Sequence, residues 1–194
     1  INRLHVHVRG ALDAAAGPYA AGAGYRAQAP DLLLWVLATL IDTALQVYPL
    51  LVGPLSRAEQ ERYYQEERAG AILLGLPARA IPATLDAFEV YMREMLAGDV
   101  LAVTPEARRV AHAIMHFTAP FPWWPTLWPA RALMCQVTIG LLPERLRAAY
   151  GLTWQPWQDA CLARELAALR LALPLLPPVV RYLPQARAAR RRVA

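Results

Sequence analysis

Lysine is absent from this chain of 194 residues, and serine and cysteine are rare. All 20 basic side chains are arginines, a bias that carries little functional information on its own. The sole serine, Ser56, precedes a helical pattern and is needed there as a cap, which leaves no serine for nucleophilic catalysis. No glycine-rich loop follows a strand pattern, so a phosphate-binding loop is not predicted.

The cysteines and histidines show no metal-binding pattern. Cys135 and Cys161 lie far apart and lack C-x-x-C spacing, so we predict reduced thiols in a cytoplasmic protein. His112 and His116 are four residues apart and would share a helix face, but the sequence offers no third ligand. We therefore predict no metal site.

The net charge of +5 has a local origin. The last fourteen residues carry five arginines and no acid, at positions Arg181, Arg187, Arg190, Arg191 and Arg192. Because the remaining chain balances at zero, we expect no nucleic-acid partner. The tail is either solvated or touches an anionic membrane surface. Residues 117–129, with Trp123, Trp124 and Trp128, form either an ordered aromatic corner or an exposed patch.

Helical patterns dominate the sequence, and strand signals are nearly absent. We predict an all-α fold, a single multi-helix domain over residues 1–194. The predicted helices cover residues 31–48, 56–75, 84–98, 104–116, 130–142, 143–150 and 156–173, each bounded by capping or breaking residues. The glycine- and alanine-rich residues 10–30 are predicted to form a long loop or a mobile lid.

The most apolar stretch reads LLLWVLATLIDTAL and begins at Leu32. Asp31 and Asp42 bracket a run shorter than the about 18 residues needed to span a bilayer, so no transmembrane helix is predicted. Helical periodicity places Asp42 with Thr39 on one face, opposite an apolar face that includes Leu37. We expect both faces to be covered and Asp42 to pair with an arginine from another helix.

An ordered series of short segments resembles a known family. The segments include RLHVHVRG, PDLLLWVLATLIDTALQVY, ERYYQEER, IPATLDAF and LLPERLRAAYGLTW. Together they resemble the bacterial family of latex clearing protein, a rubber oxygenase, and the fungal MpaB oxygenase. The resemblance covers nearly the whole chain but only the later part of the family domain. Because the chain also begins at Ile1, we expect an upstream segment.

The resemblance implies oxidative chemistry on a small apolar substrate. Characterised family members are all-α proteins with a globin-like core that bind haem b, and some cleave an isoprenoid double bond with dioxygen. In relatives a histidine commonly occupies the position of Leu37, where it is the expected iron ligand. Leucine cannot ligate iron. The resemblance therefore implies haem b while this chain lacks the expected ligand.

By the same resemblance, residues near the start of the chain approach the haem. The cofactor-binding candidates are Arg3, His5, His7 and Thr39, and His5 is preferred because a histidine recurs there among relatives. On a helix His5 and His7 would point about 200° apart, so only one could enter a shared pocket. Alternatively, both histidines form hydrogen bonds at a polar helix edge.

Two function classes remain open at this stage. The first is an oxygenase-like enzyme of the rubber oxygenase and MpaB family, cytoplasmic and in peripheral contact with the membrane. The second is a non-catalytic helical protein that has lost haem and binds a lipid or a membrane surface.

Overall fold

Seven α-helices and one β-hairpin build the part of the chain that the computed structural model describes, residues 7–116 and 128–177. The strands are β1 (Arg9–Ala11) and β2 (Gly24–Arg26). The helices are α1 (Pro30–Leu51), α2 (Arg57–Leu73), α3 (Leu85–Ala97), α4 (Pro105–Met115), α5 (Trp128–Leu141), α6 (Glu144–Tyr150) and α7 (Pro156–Ala172). Short 3-10 turns cover Ala78–Ala80 and Leu173–Leu175. The all-α class is confirmed, whereas the globin-like core and the domain limits 1–194 stay predictions.

A short β-hairpin occupies part of residues 10–30, for which we predicted a long loop or a mobile lid. Strands β1 and β2 pair antiparallel, with Arg9 opposite Arg26, Gly10 opposite Tyr25 and Ala11 opposite Gly24. A Cβ atom at Gly10 would lie 2.9 Å from the Tyr25 hydroxyl oxygen and 3.0 Å from its ring. The tyrosine therefore folds across β1.

Helix starts follow the predicted capping residues. The Ser56 hydroxyl accepts a hydrogen bond from the Glu59 amide, and the Glu59 carboxylate accepts one from the Ser56 amide at 2.8 Å. Thr84 and Thr104 likewise accept from backbone amides at the starts of α3 and α4. These side chains satisfy amides that have no partner within the helix, which makes the helix starts readable from sequence.

Helix α1 extends further than predicted. We expected it to end before Pro49, but it continues through Pro49 to Leu51. The proline removes one amide donor from the helix. The Val52 amide still bonds to the Tyr48 carbonyl at 2.8 Å and continues the helical pattern beyond the proline.

The core lies between α1, α2 and α3. Its largest fully buried side chains are Ile41, Tyr64, Leu85 and Phe88. The Tyr64 hydroxyl donates a 2.6 Å hydrogen bond to the Pro82 carbonyl, and its ring centroid lies 5.0 Å from that of Phe88. Burial raises the pKa of Tyr64 to about 12, so this phenol stays neutral and remains a donor.

Helix α1 is long and apolar enough to cross a membrane, judged by length and composition alone. Only 17% of its most apolar stretch is buried, and Val36 and Leu40 are 58% and 64% exposed. Its other face supplies Ala38 and Ile41 to the core, as core helices of soluble proteins also do. The length of α1 therefore does not confirm our prediction that the chain has no transmembrane helix. That statement stays a prediction.

Candidate functional site

A cavity of about 490 Å³, here called the interhelical cavity, lies between α1, α3, α5 and α6. Most of its wall is apolar, from Trp35, Val47, Met92, Leu96, Val137, Leu141, Leu142 and Leu146. Polar groups come from Thr39, Asp42, Thr43, Gln46, Thr138, Glu144 and Arg147. Walls that are mainly apolar with a few polar groups are typical of sites for small organic ligands.

Asp42 is an acidic residue of this cavity with a raised pKa. Its carboxylate accepts a 2.5 Å hydrogen bond from the Gln46 side-chain amide. Partial burial raises the pKa of Asp42 above its ordinary value, and the Gln46 hydrogen bond opposes this only in part. The carboxyl therefore keeps its proton to higher pH than an exposed aspartate does, and when protonated it can donate to a ligand oxygen.

The predicted ion pair between Asp42 and an arginine of another helix is wrong for the residues that the structure describes. Its polar partner is Gln46, one turn along the same helix. Arg147 lines the same cavity, but its guanidinium lies 5.5 Å from the Trp154 ring centroid and donates to the Gly140 carbonyl at 3.5 Å. Those contacts hold Arg147 against α5 rather than against Asp42.

Two threonines present acceptor oxygens to the interhelical cavity. The Thr39 hydroxyl donates to the Val36 carbonyl at 2.8 Å, and the Thr138 hydroxyl donates to the Met134 carbonyl at 2.8 Å. Because each hydroxyl proton is used within its own helix, each oxygen can only accept from a ligand.

Hydrogen bonds from Arg145 fix the wall of the cavity that α3 and α6 form. Arg145 in α6 donates to the Leu96 carbonyl at 3.0 Å and to the Gly98 carbonyl at 2.5 Å. These bonds satisfy carbonyls at the C-terminal end of α3, where a cation is electrostatically favoured. They tie α6 to α3 and so hold two walls of the cavity together.

Position 37 is packed with aliphatic contacts. Leu37 is half-buried and contacts both core clusters, the one that includes Ala38 and Ile41 and the one that includes Leu34 and Ala71. It is not among the residues that line the interhelical cavity. Position 37 therefore supplies no donor for the iron of a porphyrin, because leucine has no ligating atom and packs against other apolar side chains.

A second, larger cavity lies beside the hairpin. This hairpin cavity, of about 920 Å³, is bounded by β1, β2 and the start of α1. Its lining includes Arg9, Tyr19, Tyr25, Arg26 and Asp31. It shares no lining residue with the interhelical cavity.

Of the cofactor-binding residues predicted from sequence, the structure describes only Thr39 and His7. Thr39 lies in the interhelical cavity, whereas His7 is an exposed turn residue just before β1. Arg3 and His5 lie outside the described residues. Arg9 belongs to a strand, so the helical geometry assumed for the start of the chain does not extend to it.

The remaining histidines lie away from these cavities. The rings of His112 and His116 stack with centroids 3.9 Å apart, and the His116 ring nitrogen is 2.9 Å from the His112 carbonyl oxygen. Among the described residues, no three histidine, cysteine or acidic side chains are grouped to hold a metal ion. The aromatic corner is described only at its end, where Trp128 is 63% exposed. Trp123 and Trp124 lie outside the described residues.

Sequence reasoning missed Arg147 and the hairpin cavity. Arg147 lies within LLPERLRAAYGLTW, where nothing local marks it as a cavity residue. The cross-strand pair of Arg9 and Arg26 could be found only after the strands had been paired.

Comparison with known proteins decides the family. The sequence model described as "ER-bound oxygenase mpaB/B'/Rubber oxygenase, catalytic domain" matches residues 1–177. The chain belongs to this family. The resemblance stated from short motifs is thereby confirmed.

Two mycobacterial relatives of this oxygenase-family chain match over most of its length. They are the uncharacterized protein Mb2261 of Mycobacterium bovis and the uncharacterized protein Rv2237 of Mycobacterium tuberculosis. Each is 29% identical over 174 residues, which cover 88% of this chain and 67% of the relative. No solved structure matches the chain.

Proposed function

We propose that this member of the MpaB and rubber oxygenase family binds a small apolar molecule in the interhelical cavity and oxidises it with dioxygen. The observation that carries the proposal is the apolar wall of that cavity with Asp42 among its few polar groups. A cavity of about 490 Å³ lies within the usual range for ligand sites. A perturbed carboxyl in such a cavity marks a functional candidate.

The roles of the residues follow from their chemistry. The aliphatic wall holds the hydrocarbon body and excludes water, while Trp35 adds an aromatic face. The Asp42 carboxyl faces the polar end of the ligand, and Gln46 holds the carboxyl in place. Thr39 and Thr138 accept from a ligand hydroxyl. Together these groups fix the orientation of a molecule that has one polar end.

Family membership supports the oxidative step. When dioxygen cleaves a carbon–carbon double bond, one oxygen atom goes to each carbon and no external reductant is needed. Haem b, which the family resemblance implies, supplies activation of dioxygen when bound. We infer that any haem in this chain is ligated by a residue other than Leu37, and His5 is the candidate in the sequence.

An oxygen-labelling experiment tests the enzymatic part of the proposal. The purified full chain is incubated with farnesol, an isoprenoid alcohol, under isotopically labelled dioxygen, and the products are analysed by mass spectrometry. We expect label in the product for wild type and a strong loss for Val137→Phe, which fills the interhelical cavity. Val110→Phe is the matched control, because Val110 is 58% exposed in α4 and outside the cavity.

A non-catalytic binder would give another result. Farnesol would then be recovered unlabelled from wild type, although it would still bind and Val137→Phe would still weaken its binding. That outcome would reject the oxygenase and retain the ligand site.

A further inference from the structure

Two arginines face each other across the hairpin. Arg9 and Arg26 are direct antiparallel partners and therefore lie on the same face. The Ala27 amide bonds to the Val8 carbonyl at 2.9 Å, and the Leu12 amide bonds to the Ala23 carbonyl at 3.0 Å. Because hydrogen-bonded and non-bonded pairs alternate, Arg9 and Arg26 form a non-hydrogen-bonded pair, in which side chains approach most closely.

In the described part of the chain, no ion pair compensates this pair of like charges. Within residues 7–116 and 128–177, neither guanidinium forms an ion pair or a hydrogen bond. Like charges directly opposite each other destabilise a strand pair. The hairpin thus keeps two unneutralised cations side by side.

Both arginines line the hairpin cavity, which also has an apolar wall. Its lining includes Tyr19 and, at the start of α1, Leu32. Asp31 is the sole acid of the lining, so the cavity carries one excess positive charge. Two adjacent guanidinium groups suit a carboxylate or a phosphate, which accepts several hydrogen bonds at once.

We propose that the hairpin cavity binds an amphipathic anion, whose carboxylate or phosphate lies between Arg9 and Arg26 and whose hydrocarbon chain lies against Tyr19 and Leu32. The ligand neutralises the repulsion that the free hairpin carries. This site is independent of the interhelical cavity, since the two share no residue. Failure of one proposal therefore leaves the other standing.

Calorimetric titration of the full chain tests the proposal with three probes. Dodecanoate carries both the anion and the chain, dodecanol lacks the charge, and inorganic phosphate lacks the chain. We expect dodecanoate to bind, with added salt weakening it, and the other two to bind at least about tenfold more weakly. Phosphate binding as tightly as dodecanoate would overturn the amphipathic ligand, and dodecanol binding as tightly would overturn the arginine site.

Glutamine variants identify the residues. Arg9→Gln and Arg26→Gln should each weaken dodecanoate binding about tenfold or more, whereas the exposed control Arg164→Gln, outside the cavity, should not change it. The melting temperature separates binding from a structural role. Without ligand, each hairpin variant should melt no lower than wild type, because a repulsion has been removed. Unchanged binding in both variants, or lowered melting temperatures, would overturn the proposal.

Discussion

Gln46 donates a 2.5 Å hydrogen bond to the carboxylate of Asp42 one turn earlier in α1. The pair lies on the wall of the interhelical cavity, where burial raises the pKa of Asp42. A polar pair within one helix leaves the other walls free to be apolar. In the described part of the chain, Asp42 therefore forms no ion pair between helices.

Asp42→Asn should stabilise the protein more at neutral pH than in acid. Burial raises the pKa of Asp42 in the folded state. The contribution of Asp42 to the free energy of unfolding is therefore fully present below its unfolded-state pKa, and it is lost as the pH rises through its folded-state pKa. Asparagine stays uncharged and can still accept from Gln46. The melting temperature of the variant minus that of wild type should therefore be larger near about pH 7 than near about pH 3. If this difference in melting temperature were equal at both pH values, or larger in acid, burial would be rejected as the main cause of the effect of Asp42 on stability.

Alanine in place of two helical glycines should have opposite effects. At Gly140 a Cβ atom would lie 2.4 Å from a Leu162 methyl carbon and 3.0 Å from the Trp154 ring, so Gly140→Ala should destabilise by about 1–3 kcal/mol. At Gly70 nothing lies within 4 Å, so Gly70→Ala should stabilise by about 0.5–1 kcal/mol. Urea unfolding measures both changes. If Gly140→Ala and Gly70→Ala changed the free energy of unfolding equally, α5 would not pack closely on α7.

Leu37→His should increase haem uptake and decrease stability. The imidazole supplies the donor that leucine lacks, but it enters an apolar contact region and costs about 1–3 kcal/mol. Leu37→Gln is the control, because it should destabilise similarly without a gain of haem. Absorption spectra after haem addition measure the outcome. We expect the wild-type protein to bind haem weakly or not at all, so stoichiometric haem with a histidine-ligated spectrum in the wild type would contradict this account. Loss of that spectrum in His5→Ala would then identify His5 as the ligand.

The local features of the fold could be predicted, and the site could not. Ser56, Thr84 and Thr104 mark helix starts because each cap acts within three residues. Pro49 was misjudged as a helix end, since a local rule does not weigh the tertiary packing of α1. The hairpin strands have only three residues each, too few for an alternating pattern. The cavity joins α1 to α5 and α6, and no local pattern connects Asp42 with Arg147.

The arginine tail and the aromatic corner are predicted to act at a membrane surface. Each arginine near an anionic surface contributes about 1 kcal/mol of salt-sensitive attraction, and tryptophan suits the headgroup region. The protein should co-sediment with anionic but not neutral vesicles, and salt or deletion of the residues after Leu183 should weaken this. Equal binding to both vesicle types, or none, would leave the tail as a solvated segment.

The most direct test of the interhelical cavity is calorimetric titration of farnesol into wild type, Val137→Phe and Val110→Phe. The two substitutions add the same volume, but only Val137 lines the cavity. We predict that wild type and Val110→Phe bind with equal affinity and that Val137→Phe binds at least about tenfold more weakly, because the added ring occupies the ligand volume. Undiminished binding by a folded Val137→Phe protein would contradict the assignment of this cavity as the ligand site.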